Sequence, residues 1–337
     1  MECQNKLFKK YKGFLCYAAK AEMWDETRKH RGKTTITGVL VLLLFIVIPV
    51  NLFARESGPP ATDRHVRVSA SASSGHQFKS GMDGGGDVSI NHYGIGVDGS
   101  TSLTDKLRFR GRLGYDREEY DFSGTNTFPV AKPWNTINHA GLSTGLEYTL
   151  TDKCTIGGGP VMRYAGETGA EFHDSLIYGA LVTVRYRINP DFLIGFGGGV
   201  FHGFHETMVI PTLIVSWNIT DRLRLGNAHR PGLTGTPGLE LSYGVSDDWE
   251  IAVGGGYRSA KFRLDRDGSV PGGIGENTGW PVHARISYNS EPSFRLDLYG
   301  GAALGGKLEL QDSGGNGIRS THHSTAPILG LHIRKNF

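Results

Sequence analysis

The chain has almost no cysteine, with three in 337 residues. Cys3 and Cys16 precede an apolar segment and Cys154 stands alone after it. No disulfide framework can form in the part that follows. No Cys-x-x-Cys or Cys/His spacing occurs, and His205-Glu206 has no second His at Val209. Structural zinc and zincin chemistry are therefore not expected. Hydrophobic residues are only 38% of the chain, lean for a globular enzyme. A basic surface is also missing. Residues 1–36 hold nine Lys/Arg against four Asp/Glu, which leaves 27 basic and 29 acidic residues in the remainder. Nothing after residue 36 resembles a nucleic-acid surface. Gly157-Gly-Gly-Pro160 lacks the Lys and Ser/Thr of a phosphate loop. Gly94-Ile-Gly-Val-Asp-Gly99 lacks the helix that a dinucleotide fingerprint needs after it. No cofactor is expected.

What is abundant is glycine, 49 residues of it, recurring inside patterned segments rather than in low-complexity tracts. A membrane barrel accounts for this composition. Its wall needs an apolar residue only at every second position, and the positions between can be Gly, Ser, Thr or charged.

Near the N-terminus, Thr34 to Ala54 carries no charge, and Val39 to Ile48 is continuously apolar. Lys29, Arg31 and Lys33 precede it, and Leu52-Phe53-Ala54 ends on a small residue. Basic flank, apolar core and small-residue exit make a signal-peptide pattern, with a signal anchor as the alternative. Met23 would give a conventional start, which makes residues 1–22 an extension. The expected organisation is an N-terminal extension and signal segment over 1–54, a linker over 55–63 and a barrel over 64–337.

From there the sequence alternates with period two. Leu176, Tyr178, Ala180, Val182, Val184, Tyr186 and Ile188 share one face, and Val282, Ala284, Ile286 and Tyr288 another. Segments of ten or more residues suit tilted membrane-crossing strands. Similar tight turns recur, among them Leu103-Thr-Asp-Lys-Leu107, Leu150-Thr-Asp-Lys-Cys154, Ile219-Thr-Asp-Arg-Leu223 and Val245-Ser-Asp-Asp-Trp249. Between them lie connections expected to be longer and polar, at 118–135, 165–174, 229–236, 263–278 and 312–323. Short turns at one end and long loops at the other match the periplasmic and extracellular ends of an outer-membrane barrel. Tyr148, Tyr186, Trp217, Trp249 and Tyr288 flank the short turns, where amphipathic rings favour a membrane interface.

The pattern predicts an all-β, antiparallel, up-and-down transmembrane β-barrel of about 14 strands. Twelve result if the first, over Val66–Ala72, does not form. The face away from lipid places Arg108, Arg110, Arg112, Arg185, Arg187, Arg224, Arg285, Arg295 and Arg334 in the lumen, with Glu147, Glu240, Glu250 and Asp297. They serve either as an anion-favouring constriction or as an ion-pair network that plugs a narrow barrel. His173-Asp-Ser175 and His322-His-Ser324 put a base and a nucleophile two residues apart, as in some outer-membrane lipid-modifying hydrolases. No orienting acid follows from the sequence, and no catalytic residue is assigned.

Leu329, Leu331 and Ile333 alternate toward a terminal Phe337. This ending looks like the signal read by the barrel assembly machinery of Gram-negative bacteria, although Lys335 departs from it. Leu223-Arg-Leu-Gly-Asn227, Gly238-Leu-Glu-Leu-Ser-Tyr243, Trp249 and the stretch Tyr257 to Leu264 resemble a family of porin-like bacterial outer-membrane barrels of unknown function. The resemblance covers roughly residues 64–337 and brings no activity with it. The expected partners are outer-membrane lipid, the assembly machinery and an unidentified small solute, with a narrow passive channel or transporter as the expected role. The alternatives are a structural barrel with a plugged lumen and a membrane-anchored periplasmic β-sandwich that binds ligands.

Overall fold

The computed structural model describes residues 66–125, 128–130, 132–227, 233, 238–290 and 293–337. The expected export segment and the linker lie outside the described residues. Sixteen strands follow in chain order: β1 Arg67–Gly81, β2 Asp87–Ser102, β3 Leu107–Ser123, β4 Thr136–Thr151, β5 Cys154–Glu167, β6 Leu176–Asn189, β7 Phe192–Gly203, β8 Glu206–Asn218, β9 Leu223–Asn227, β10 Gly238–Gly244, β11 Trp249–Gly256, β12 Arg258–Arg263, β13 Ile274–Ser290, β14 Phe294–Gln311, β15 Gly317–His323 and β16 Ala326–Asn336. Strands pair antiparallel in chain order except that β11 pairs β13 and β16 pairs β14, and β1 pairs β16, so one sheet closes on itself.

Two of the wall strands are interrupted. β13 pairs β11 along Val282–Tyr288 and β12 along Ile274–Gly279, with Tyr257 as the break. β14 pairs β16 along Phe294–Ala303 and β15 along Gly306–Gln311, with the break at Ser324 and Thr325. Counting each interrupted pair once, the wall has fourteen strands. The first strand, expected to be short, runs for 15 residues. A two-sheet sandwich does not form, because the single sheet leaves no second layer.

The recurrent turns have a shared chemistry. The Thr104 hydroxyl oxygen accepts from the backbone N–H of Lys106 (3.3 Å) and Leu107 (3.0 Å). Thr151 and Thr220 do the same for the residues two and three positions on. Asn189 does so through its side-chain carbonyl, which accepts from Phe192 at 2.8 Å. Each side chain satisfies backbone donors that the hairpin leaves free, which explains why Thr-Asp-Lys/Arg recurs.

The alternating apolar residues stand outside the closed wall. Tyr178, Val182, Val184, Tyr186 and Ile188 on β6 are all exposed, as are Leu142 and Leu146 on β4, Ile251 and Val253 on β11, and Leu329 and Leu331 on β16. Water does not tolerate a continuous apolar belt of this extent, whereas hydrocarbon does. Val182→Arg should therefore cost about 2–4 kcal/mol, read by urea unfolding from lipid vesicles. Thr183→Arg, one residue along on the inner face, should cost clearly less. Equal losses would put the belt in the wrong medium.

The strands run on past the expected loop boundaries. β3 reaches Ser123, β13 begins at Ile274 and β15 at Gly317. Phe128, Trp134 and Leu264, expected in polar connections, are buried. The reason is a second closure of the sheet. After Tyr257, β12 leaves the wall and crosses to β5, where Arg263 lies opposite Gly166 in a parallel bridge. The Met82–His323 bridge joins the end of β1 to β15. A smaller ring results, made of β12–β13–β14–β15–β1–β2–β3–β4–β5. It is filled like a globular core by Val88, Ile90, Tyr120, Phe122, Ile137, Phe262, Leu308 and Leu310 around Trp134.

Candidate functional site

The inner face of β3 changes character along its length. From the turn at 103–107 it presents Arg108, Arg110 and Arg112, then Gly114, then Asp116 and Glu118, then Tyr120 and Phe122. The barrel interior repeats this order as three levels: a cationic level near the short turns, a mixed polar level in the middle and an apolar level at the small ring.

In the first level, the Glu147 carboxylate bridges two strands by accepting from Arg110 Nε (2.8 Å) and Arg185 (2.6 Å). A denser network surrounds Arg285, whose side chain is 1% exposed. Its guanidinium donates to Glu240 (2.5 Å) and Glu250 (2.7 Å) and also to the Ser287 hydroxyl. Arg295 donates to Glu250 (2.8 Å) and Asp297 (2.9 Å). His283 lies 3.2 Å from Glu240 and His332 3.2 Å from Asp297. Arg334 donates to the Ser69 hydroxyl at 2.8 Å, and Arg112 lies 3.8 Å from Asp98. No ion pair reaches Arg108, Arg187 or Arg224 among the described residues. The residues named from the sequence thus form two separate clusters plus isolated cations, not one ring.

Leu329, Leu331 and Ile333 lie on the outward face of β16. The Phe337 backbone N–H donates to the Val68 carbonyl at 2.9 Å, at the seam where the sheet closes. Among the described residues, neither His-x-Ser pair is bonded within itself. Ser175 sits in a three-residue 3-10 turn, His173–Ser175, and its hydroxyl donates to the Glu171 carbonyl at 2.6 Å. No group of three or more His, Cys, Asp or Glu among the described residues is placed to hold a metal ion.

The middle level encloses a cavity of about 620 Å³. Its charged wall comes from His92 on β2, Asp116 and Glu118 on β3, His139 on β4, Arg163 on β5 and Arg258 on β12. Leu181 on β6 and Ile210 and Ile214 on β8 add apolar lining. Arg258 donates to Glu118 at 2.5 Å, and the His92 ring lies 3.4 Å from Asp116. Sequence reasoning did not single out this group. Its signal was available, since residues 114, 116 and 118 continue the inward parity set by Arg108, Arg110 and Arg112. What the alternation could not supply was β12, which brings Arg258 to Glu118 only because it leaves the wall.

The class defined by these features is a closed antiparallel barrel with an apolar exterior and a polar, partly filled interior. Residues 161–313 match the profile of a family described as Domain of unknown function (DUF6268). No curated protein matches the chain. Among solved structures, the chain is similar to a FadL homologue of Pseudomonas aeruginosa, at 14% identity and a TM-score of 0.48, covering 82% of this chain and 90% of that one. It is also similar to the COG4313 outer membrane channel from Pseudomonas putida F1, at 12% identity and a TM-score of 0.45, covering 84% of this chain and 100% of that one. The P. putida toluene transporter TodX matches at 11% identity and a TM-score of 0.39, covering 82% of this chain and 91% of that one.

Proposed function

We propose that the chain is a bacterial outer-membrane barrel of the channel or transporter type, passing small solutes by way of an internal cavity rather than through a wide water-filled pore. The observation that carries this reading is the 620 Å³ cavity held between the charged level and the filled ring. A volume of this size suits one small molecule. Arg108, Arg187 and Arg224, which have no ion pair among the described residues, line the approach from the short-turn end and favour anionic or polar solutes there. The role needs no cofactor and no catalytic group. Leu329, Leu331, Ile333 and Phe337 would serve its recognition by the assembly machinery.

The filled ring favours a second reading, a structural surface barrel with its lumen closed. Solute release from lipid vesicles separates the two. Vesicles containing the purified barrel should release trapped small solutes faster than empty vesicles, while planar-bilayer conductance stays well below that of an open porin. Release no faster than from empty vesicles, together with electrical silence, would leave only the structural reading.

A further inference from the structure

We infer that the cavity is a binding site for a small zwitterion with an apolar side group, of the chemical type of an apolar amino acid. This rests on the transport reading above and names its solute class.

The inference begins with a bare strip on the inner wall. Ser71, Gly96, Gly114, Gly141 and Arg163 are successive cross-strand neighbours from β1 to β5. A methyl group added at Gly114 would meet nothing closer than a backbone oxygen at 3.7 Å, and at Gly141 nothing closer than Arg163 Cγ at 3.8 Å. Packing therefore does not demand glycine at either position. The consequence of having it there is empty space beside Arg163.

The groups around that space are incompletely satisfied. Of the cavity's three guanidiniums, that of Arg112 faces Asp98 and that of Arg258 pairs with Glu118. Arg163 pairs with no carboxylate and makes no hydrogen bond among the described residues. Asp116 carries the balancing charge, yet its Oδ1 is buried and accepts no hydrogen bond. The His92 ring stands 3.4 Å from it, with Glu118, Arg112 and Arg163 acting on it from further away. His92 is 1% exposed, and its Nδ1 makes no hydrogen bond. Both ring nitrogens of His139, the cross-strand neighbour of Asp116 on β4, are also buried without a partner.

Arg163 is exposed to the cavity, whereas Asp116 Oδ1, His92 Nδ1 and both His139 nitrogens are buried polar atoms without partners, which are costly, so a ligand that satisfies them binds well. Arg163 on β5 and Asp116 on β3 attract each other across the cavity without a direct ion pair. A monoanion would satisfy Arg163 but bring its charge up to Asp116, and a monocation would do the reverse. A carboxylate toward Arg163 with an ammonium toward Asp116 leaves neither charge uncompensated. The apolar body of such a molecule would lie against Leu181, Ile210 and Ile214, where a sugar would leave hydroxyls unpaired.

The test uses the purified full chain in detergent micelles, with binding read by calorimetry and saturation-transfer NMR. The probes are L-phenylalanine, 3-phenylpropionate, which lacks the ammonium, and phenethylamine, which lacks the carboxylate. L-Phenylalanine should bind roughly tenfold or more tightly than either relative, the range expected for one charged hydrogen bond. R163Q should weaken phenylalanine and phenylpropionate but not phenethylamine. D116N should weaken phenylalanine and phenethylamine but not phenylpropionate. G141L, which fills the bare strip, should abolish binding of all three while keeping the heat-modifiable gel shift of a folded barrel. Phenylpropionate binding as tightly as phenylalanine, or no binding of any probe, overturns the inference. If that happens while vesicles still release solutes, the transport reading stands without it. If release fails as well, both fall.

Discussion

Trp134→Ala is expected to destabilise the barrel by about 3–5 kcal/mol, the range for removing a large aromatic from a packed core, and to raise its ion conductance. Trp134 is 2% exposed at the centre of the small ring. Its ring centroid lies 5.3 Å from that of Phe262, 5.5 Å from Phe122, 5.7 Å from Phe128 and 5.9 Å from Tyr120. Most of these contacts are edge-to-face, the favourable arrangement for aromatic quadrupoles. The residue packs between Tyr120 and Phe122 of β3 and Phe262 of β12. Removing it takes out the shared contact and leaves a void where the axial path is blocked. The stability loss is read from the temperature at which the folded band disappears on unboiled gels, and the conductance from planar bilayers. A variant that loses stability yet conducts as before would show that the aromatic cluster is not what blocks the path.

Arg285→Met should cost a comparable amount, about 3–5 kcal/mol, because removing one partner from a buried ionic cluster strands the other. Arg285 is almost fully buried and contacts Glu240, Glu250, Asp297 and Ser287 from four strands or strand positions. Asp297 is itself 2% exposed, so its charge has no water to fall back on. Arg295 still reaches Glu250 and Asp297, whereas Glu240 keeps His283 at 3.2 Å but loses both hydrogen bonds from the guanidinium. Glu240→Gln placed on top of Arg285→Met should therefore restore part of the loss. Urea unfolding of the single and double variants in vesicles measures the coupling. Simple additivity of the two changes would mean that Arg285 and Glu240 stabilise the wall independently.

The wall was legible in the sequence because its physics is local. Each strand needs one oily side, and Leu176 to Ile188 writes that side out without interruption. Each hairpin needs donors satisfied, and Thr104, Thr151 and Thr220 announce where. Strand number followed from these two signals, although Val66–Ala72 understated a strand that continues to Gly81. The interior was harder to read. The inward face of β3 is polar from Arg108 to Glu118 and apolar at Tyr120 and Phe122, whose side chains pack into the small ring. Phe128 and Trp134 looked like loop residues because no period surrounds them. They are buried by strands far away in the chain, and no local pattern records such contacts. Asp116, His139 and Arg163 lay on the inward parity of three different strands. Only register places them around one space.

The crossing of β12 to β5 has a geometric consequence. A barrel widens roughly in proportion to its strand number, so a nine-strand ring is about two-thirds as wide as a fourteen-strand wall. The described barrel consequently narrows from the short-turn end toward the long loops, with the Arg285 and Glu147 ion-pair clusters on the broad side. Such a shape distinguishes front from back, and any current it carries should differ in size when the applied voltage is reversed.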